Sequence, residues 1–131
     1  MSKAEFKPGF RVLPHDIPFI VIGIALAVYF YSSIPDLSVI AITSVFHFFL
    51  FCNIFRIRRA PELIWGGIFI TLSYLKIEGL IQNWSLSLLI SFIIAICIIA
   101  YETKHPSYHG VFWRKLNPNL KNWWTALHQK N

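Results

Sequence analysis

Charge is scarce in this chain: 14% of its 131 residues are Asp, Glu, Lys or Arg, against roughly a quarter in an ordinary soluble domain. With 56% hydrophobic residues and a mean hydropathy of +0.56, that shortage argues against a water-soluble domain and makes lipid the solvent for most of the chain. Cysteine is scarce too. Cys52 and Cys97 both fall inside apolar runs, which argues against the disulfide framework of a small secreted protein. No glycine-rich phosphate loop, nucleophile elbow or zinc motif is present, so no motif implies a cofactor or a catalytic residue. The close-spaced histidine pairs of membrane His-box enzymes are missing as well, with only the loose pair His105 and His109. Ala-x-Ala-like cleavage chemistry is absent after Phe30-Tyr31-Ser32-Ser33, so the first apolar segment is expected to be retained rather than removed as a signal.

What the chain does have is four apolar segments at close intervals. A spanning helix needs about 20 residues, so four leave no room for a separate aqueous domain, and residues 1–131 are expected to form a single transmembrane domain. The expected fold class is all-α: a polytopic membrane protein with four transmembrane helices in an up-down bundle, over about 17–33, 37–55, 61–80 and 84–101. Asp16 and Asp36 are placed to cap the first two helices, and Pro61 to occupy the first position of the third. Trp65 is expected near the interface, where indole is at home. Gly66-Gly67 offers half of a close-packing motif for a neighbouring helix. Gly79 breaks the third pattern, and Lys76 and Glu78 need partners or must reach the interface. Pro18, Gly23 and Tyr31 recur at an offset of 43 as Pro61, Gly66 and Tyr74, a faint sign of duplication. At the C-terminus, over about 117–130, Asn117-Pro118 can open a helix whose Leu120, Trp123, Trp124 and Leu127 share one stripe. A short amphipathic helix lying at the membrane interface is expected.

The formal net charge is +6. Eleven of the twelve basic residues fall in the N-terminal arm (Lys3, Lys7, Arg11), the segment Arg56, Arg58, Arg59, and the tail from Lys104 onward, leaving Lys76 alone on the other side. By the positive-inside tendency this places both termini in the cytoplasm of a cell inner (plasma) membrane, multi-pass, with anionic lipid as the counter-charge. The same placement argues against nucleic acid as a partner, since the basic residues sit at the ends of apolar segments rather than along one soluble face.

Ionisable and polar groups at membrane depth are costly and therefore candidates for function. His47 and Asn53 are the intramembrane polar candidates of the second helix. Arg56, Arg58 and Arg59, with Trp123 and Trp124 of the tail, are candidates for lipid-headgroup or partner binding. His105, His109, Cys52 and Cys97 are the residue types that could ligate a metal, and His15, Asp16, Glu62 and Glu102 belong to the same side. Cys52 and Cys97 are expected at similar depth, so a facing thiol pair is geometrically open. The expected role is a small accessory or assembly subunit of a membrane complex, non-enzymatic, contacting other membrane-protein helices of its own or another kind. The alternatives are a homo-oligomeric small transporter or channel, and a membrane-interface metal-dependent enzyme.

Overall fold

The structure, a computed structural model, describes residues 5–129; Lys3 and Lys130, counted above, and the last residue of the expected tail helix lie outside that range. Among the described residues the fold is all-helical: α1 (Asp16–Phe30), α2 (Pro35–Phe48), a π-helical turn (Phe49–Ile54), α3 (Arg59–Ile77), α4 (Trp84–Glu102), a short α5 (Trp113–Leu116) and α6 (Leu120–His128). The order of the long elements matches the four apolar segments, and their boundaries differ for identifiable reasons.

At the head of α2 it is Pro35, not Asp36, that opens the helix, because its missing N–H has no acceptor there anyway. Asp36 is instead spent across the bundle: Trp84 Nε1–H donates to its Oδ1 at 2.6 Å, and Lys76 approaches to 3.7 Å. At α1, Asp16 is the first helical residue rather than a cap; its Oδ2 accepts the backbone N–H of Leu13 at 2.6 Å. Arg59 and Ala60 precede Pro61 in α3, so Pro61 is third rather than first. The end of α3 falls at Ile77 instead of Leu80. Gly79 takes φ +76, its N–H returns to Lys76 O and that of Leu80 to Leu75 O, the paired bonds of a Schellman ending.

The four long helices alternate in direction. Asp16, Asn53, Arg58 and Glu102 are joined at one end by hydrogen bonds, and Asp36, Lys76 and Trp84 at the other. Helix α1 packs along α2, and α3 along α4. In the first hairpin Gly23 lies directly against Val45, where any Cβ would collide with the valine side chain. Gly66, its counterpart in the offset-43 match, faces open space, as does Gly67. The two glycines therefore do different jobs, which removes the packing argument for duplication and leaves the pair without a neighbouring helix.

Between the hairpins lies an aromatic core. Trp65 is buried at 6% exposure, stacked on His47 at 4.1 Å and on Phe69 at 5.1 Å. Phe51 meets its ring edge-on at 5.5 Å. Its Nε1–H donates to Ser91 O at 3.1 Å.

Two elements are long and apolar enough to cross a membrane, Pro35–Ile54 and Trp84–Glu102. Helix α1 is apolar but has only 15 residues; α3 is 19 residues long and carries Arg59, Glu62 and Lys76. The two spanning candidates are only 22% and 17% buried, whereas the core helix of a soluble domain would be mostly covered. Their bare apolar faces point to membrane association.

Candidate functional site

The chain concentrates its polar side chains at the basic end, and the π-helical turn is what brings them together. Phe55 N–H bonds Leu50 O, five residues back, and Ile57 N–H reaches Phe51 O. The widened turn puts Asn53 inside the protein at 1% exposure. Wide turns of this kind recur at functional positions.

Asn53 acts as a clasp for the N-terminal arm. Its Nδ2 donates to Arg11 O at 2.8 Å and to Asp16 Oδ2 at 2.7 Å, and its carbonyl O accepts the N–H of Arg11 at 3.1 Å. Burial raises the Asp16 carboxyl, but the Leu13 N–H, the Asn53 amide and the nearby His15 and Arg11 outweigh it, so the net shift is downward. Gly9 N–H reaches His109 O at 2.7 Å, and Arg56 Nη1 donates to Lys7 O at 2.7 Å. The arm from Lys7 to Asp16 is thus laced to the protein and is not a free tail.

The three arginines have three different settings. Arg58 forms a forked pair with Glu102, Nη2 to Oε1 at 2.7 Å and Nε to Oε2 at 2.9 Å, joining the start of α3 to the end of α4. Arg56 stands in a left-handed backbone conformation, φ +50, rare for a residue with a Cβ. Burial, and then Arg11, lower the pKa of its guanidinium. Arg59 lines a cavity of about 420 Å³ together with Arg11, His15, Asp16, Cys52, Arg56, Arg58, Glu62 and His109.

The metal-ligating residue types are dispersed. Cys52 donates its thiol to Glu62 Oε1 at 3.3 Å, while Cys97 is exposed, so the expected facing pair does not form. His105 Nδ1 is engaged with Ser107 Oγ at 2.7 Å and His109 Nδ1 with Ser107 O at 2.8 Å. His15, Asp16, Glu62 and His109 do share the cavity, but His105 and Glu102 are not among its lining residues. Among the described residues no group of three or more His, Cys, Asp or Glu side chains could hold a metal ion. Burial, Arg56 and Arg11 push the His109 imidazole down, outweighing the bond to Ser107.

At the tail, Asn119 precedes α6 in place of Asn117; Asn117 donates its Nδ2 to Pro106 O at 2.7 Å and Tyr108 O at 3.0 Å. The helix is strongly amphipathic, as its stripe predicts. Leu120 is buried at 1%, and Trp124 stacks on His128 at 4.3 Å and meets Phe6 at 5.6 Å. Part of the stripe therefore covers the N-terminal arm.

The second polar locus lies within the apolar region. Neutral His47 donates Nδ1–H to Thr43 O at 2.9 Å, leaving Nε2 a bare acceptor. Among the described residues Nε2 has no partner, and neither do the hydroxyls of Ser87 and Ser91 on α4. His47 lines a groove of about 570 Å³ between α2 and α4, with Thr43, Ser85 and otherwise apolar walls of Ile42, Phe46, Leu88, Leu89 and Phe92. His47 was legible as a lone polar residue in an apolar run; the serines, unremarkable in sequence, were not. No family model, curated protein or solved structure matches this chain.

Proposed function

We propose that this chain is a multi-pass membrane protein that crosses the bilayer four times, both termini on the cytoplasmic side of an inner (plasma) membrane, and serves as a non-enzymatic accessory or assembly subunit. Helix α1 lies along α2 and α3 along α4, so each non-qualifying helix shares the depth of a qualifying one. Ile17, Val21, Ile22 and Val28 of α1 and Leu63, Ile64 and Ile70 of α3 are all exposed, as a lipid-facing surface requires. The 15 residues of α1 measure about 22 Å at 1.5 Å per residue, short of the bilayer core. The laced arm before it and the turn after it supply the remaining depth.

The observation that carries the subunit role is the groove between α2 and α4, apolar along its walls apart from Thr43, His47 and Ser85. Close packing of apolar and small side chains is what drives helix association in lipid. The occupant proposed is therefore a largely apolar helix of a partner membrane protein. Gentle solubilisation followed by native mass spectrometry is expected to recover a stoichiometric partner that is lost in Leu88→Trp, which fills the groove, and weakened in Leu89→Ala, which removes an exposed wall side chain. Recovery of the chain alone, or as a closed ring of identical copies, would replace this reading, the latter with a transporter or channel.

A further inference from the structure

Arg11, Arg56 and His109 come from three separate segments, the N-terminal arm, the link before α3 and the loop after α4, yet all three line two cavities at the basic end. One is the cavity of about 420 Å³ already described. The other, of about 380 Å³, adds Lys7, Glu5, Phe6, Pro8 and Trp124. Among the described residues neither Arg11 nor Arg56 forms an ion pair, whereas Arg58 is committed to Glu102 and Lys7 to Glu5. The carboxylates at hand are already bound: Asp16 by Leu13, Asn53 and His15, and Glu62 by the Cys52 thiol.

Two like charges held close, one of them half-buried, are unfavourable unless something negative joins them. Burial first, and then the neighbouring Arg11, lower the Arg56 guanidinium, and burial, Arg56 and Arg11 lower His109, so the three groups lie close enough to act on one another. The backbone at Arg56 adds a second, independent observation. A left-handed residue at this turn is cheapest as glycine or asparagine; an arginine here bears a conformational cost. That cost is borne at a position where the side chain enters both cavities.

We propose that Arg11 and Arg56, with His109 as an additional donor, form a binding site for a phosphate group at the basic end of the protein. Guanidinium groups suit the tetrahedral oxygens of phosphate through paired, charge-assisted hydrogen bonds. The same chemistry is offered by the headgroup of an anionic phospholipid and by a free phosphate or phosphomonoester. Phe6 and Trp124 at the edge of the second cavity are side chains at home beside a headgroup. The site does not depend on the partner helix proposed above, which lies against α2 and α4.

The test uses the full chain in nanodiscs of phosphatidylcholine, with binding followed by tryptophan fluorescence and by native mass spectrometry after release. One arm titrates inorganic phosphate and glycerol phosphate; the other replaces a fraction of the lipid with phosphatidic acid or phosphatidylglycerol. Arg56→Gly is the informative variant, because the relief of strain at φ +50 offsets the loss of the exposed bond to Lys7 O, so the fold should stay close to the parent in heat stability while affinity falls roughly tenfold or more. Arg11→Gln should weaken binding similarly, and Arg114→Gln, which lines neither cavity, should not. Arginine-dependent binding in the first arm identifies a soluble phosphate, in the second a lipid. No binding in either arm overturns the proposal, as does binding that Arg56→Gly and Arg11→Gln leave unchanged or that Arg114→Gln weakens equally.

Discussion

The two ends of the helical bundle are built differently. At the basic end, the arm, the π-helical turn, the start of α3 and the loop after α4 are tied by a buried asparagine, a forked ion pair and several backbone bonds. At the opposite end a single carboxylate, Asp36, takes an indole N–H and faces one lysine. In lipid, apolar contact between helices gains little over apolar contact with acyl chains, so directional bonds carry a larger share of specificity. The basic end is where this chain has spent its polar side chains, and it is there that the order of the segments is fixed.

That contrast can be broken from the strong side first. Asn53→Leu removes both donations from the amide and leaves the buried Asp16 carboxylate with only the Leu13 N–H and His15, so thermal unfolding in detergent should show a loss of roughly 2–3 kcal/mol and rapid amide exchange at Gly9 and Arg11. Gly110→Ala comes next: a Cβ there would run into the Phe55 carbonyl, backbone that cannot step aside, and about 1–3 kcal/mol is expected. Trp84→Phe probes the other end, removing one charge-assisted bond to Asp36, with an expected loss of about 1 kcal/mol and no change in exchange at Gly9. Gly66→Ala should be the mildest, neutral or stabilising by up to about 1 kcal/mol, because nothing lies near its Cβ position.

Acid should sharpen the same difference. His109 has a folded pKa below its ordinary 6.5, so the unfolded chain binds that proton first and stability begins to fall as pH drops below that value. Asp16, lowered from 3.8, contributes fully above that value and loses its contribution as pH falls through its folded pKa. Exchange at the basic end should therefore rise in two stages on acidification, the first below pH 6.5 and the second below 3.8. A uniform rise along the whole bundle would show that the two ends do not open separately.

The helical segments were legible because hydrophobic runs and their punctuation are local properties. Pro35 and Gly79 acted at their own positions, whereas near Pro61 and Asn117 the boundary fell two residues away, at Arg59 and Asn119. The pairings were not legible. Asn53 and Asp16 each stood out, but 37 residues separate them, and Arg58 and Glu102 are 44 apart; only the fold brings them together. The arginine cluster reads in sequence as one block of charge, since adjacency conceals that Arg56 turns one way, into two cavities, while Arg58 is held by a carboxylate. The π-helical turn left no local sign in FLFCNI, whose residues suit an α-helix. That Trp65 would stack on His47 and Phe69 was not legible either, because those contacts join α3 to another helix and to its own next turn.

The π-helical turn sets the rotational phase of everything that follows it. Six residues closed by bonds to the fifth residue back give the chain a fraction of a turn that an α-helix would not. Deleting one residue between Phe49 and Ile54 would leave a continuous apolar helix of almost unchanged length, but swing the segment beyond it by about 100°. Asn53 would leave the arm, and the link carrying Arg56 and Arg58 would start from a different face. The molecule would still be as greasy and as basic as before, with its latch closed on nothing.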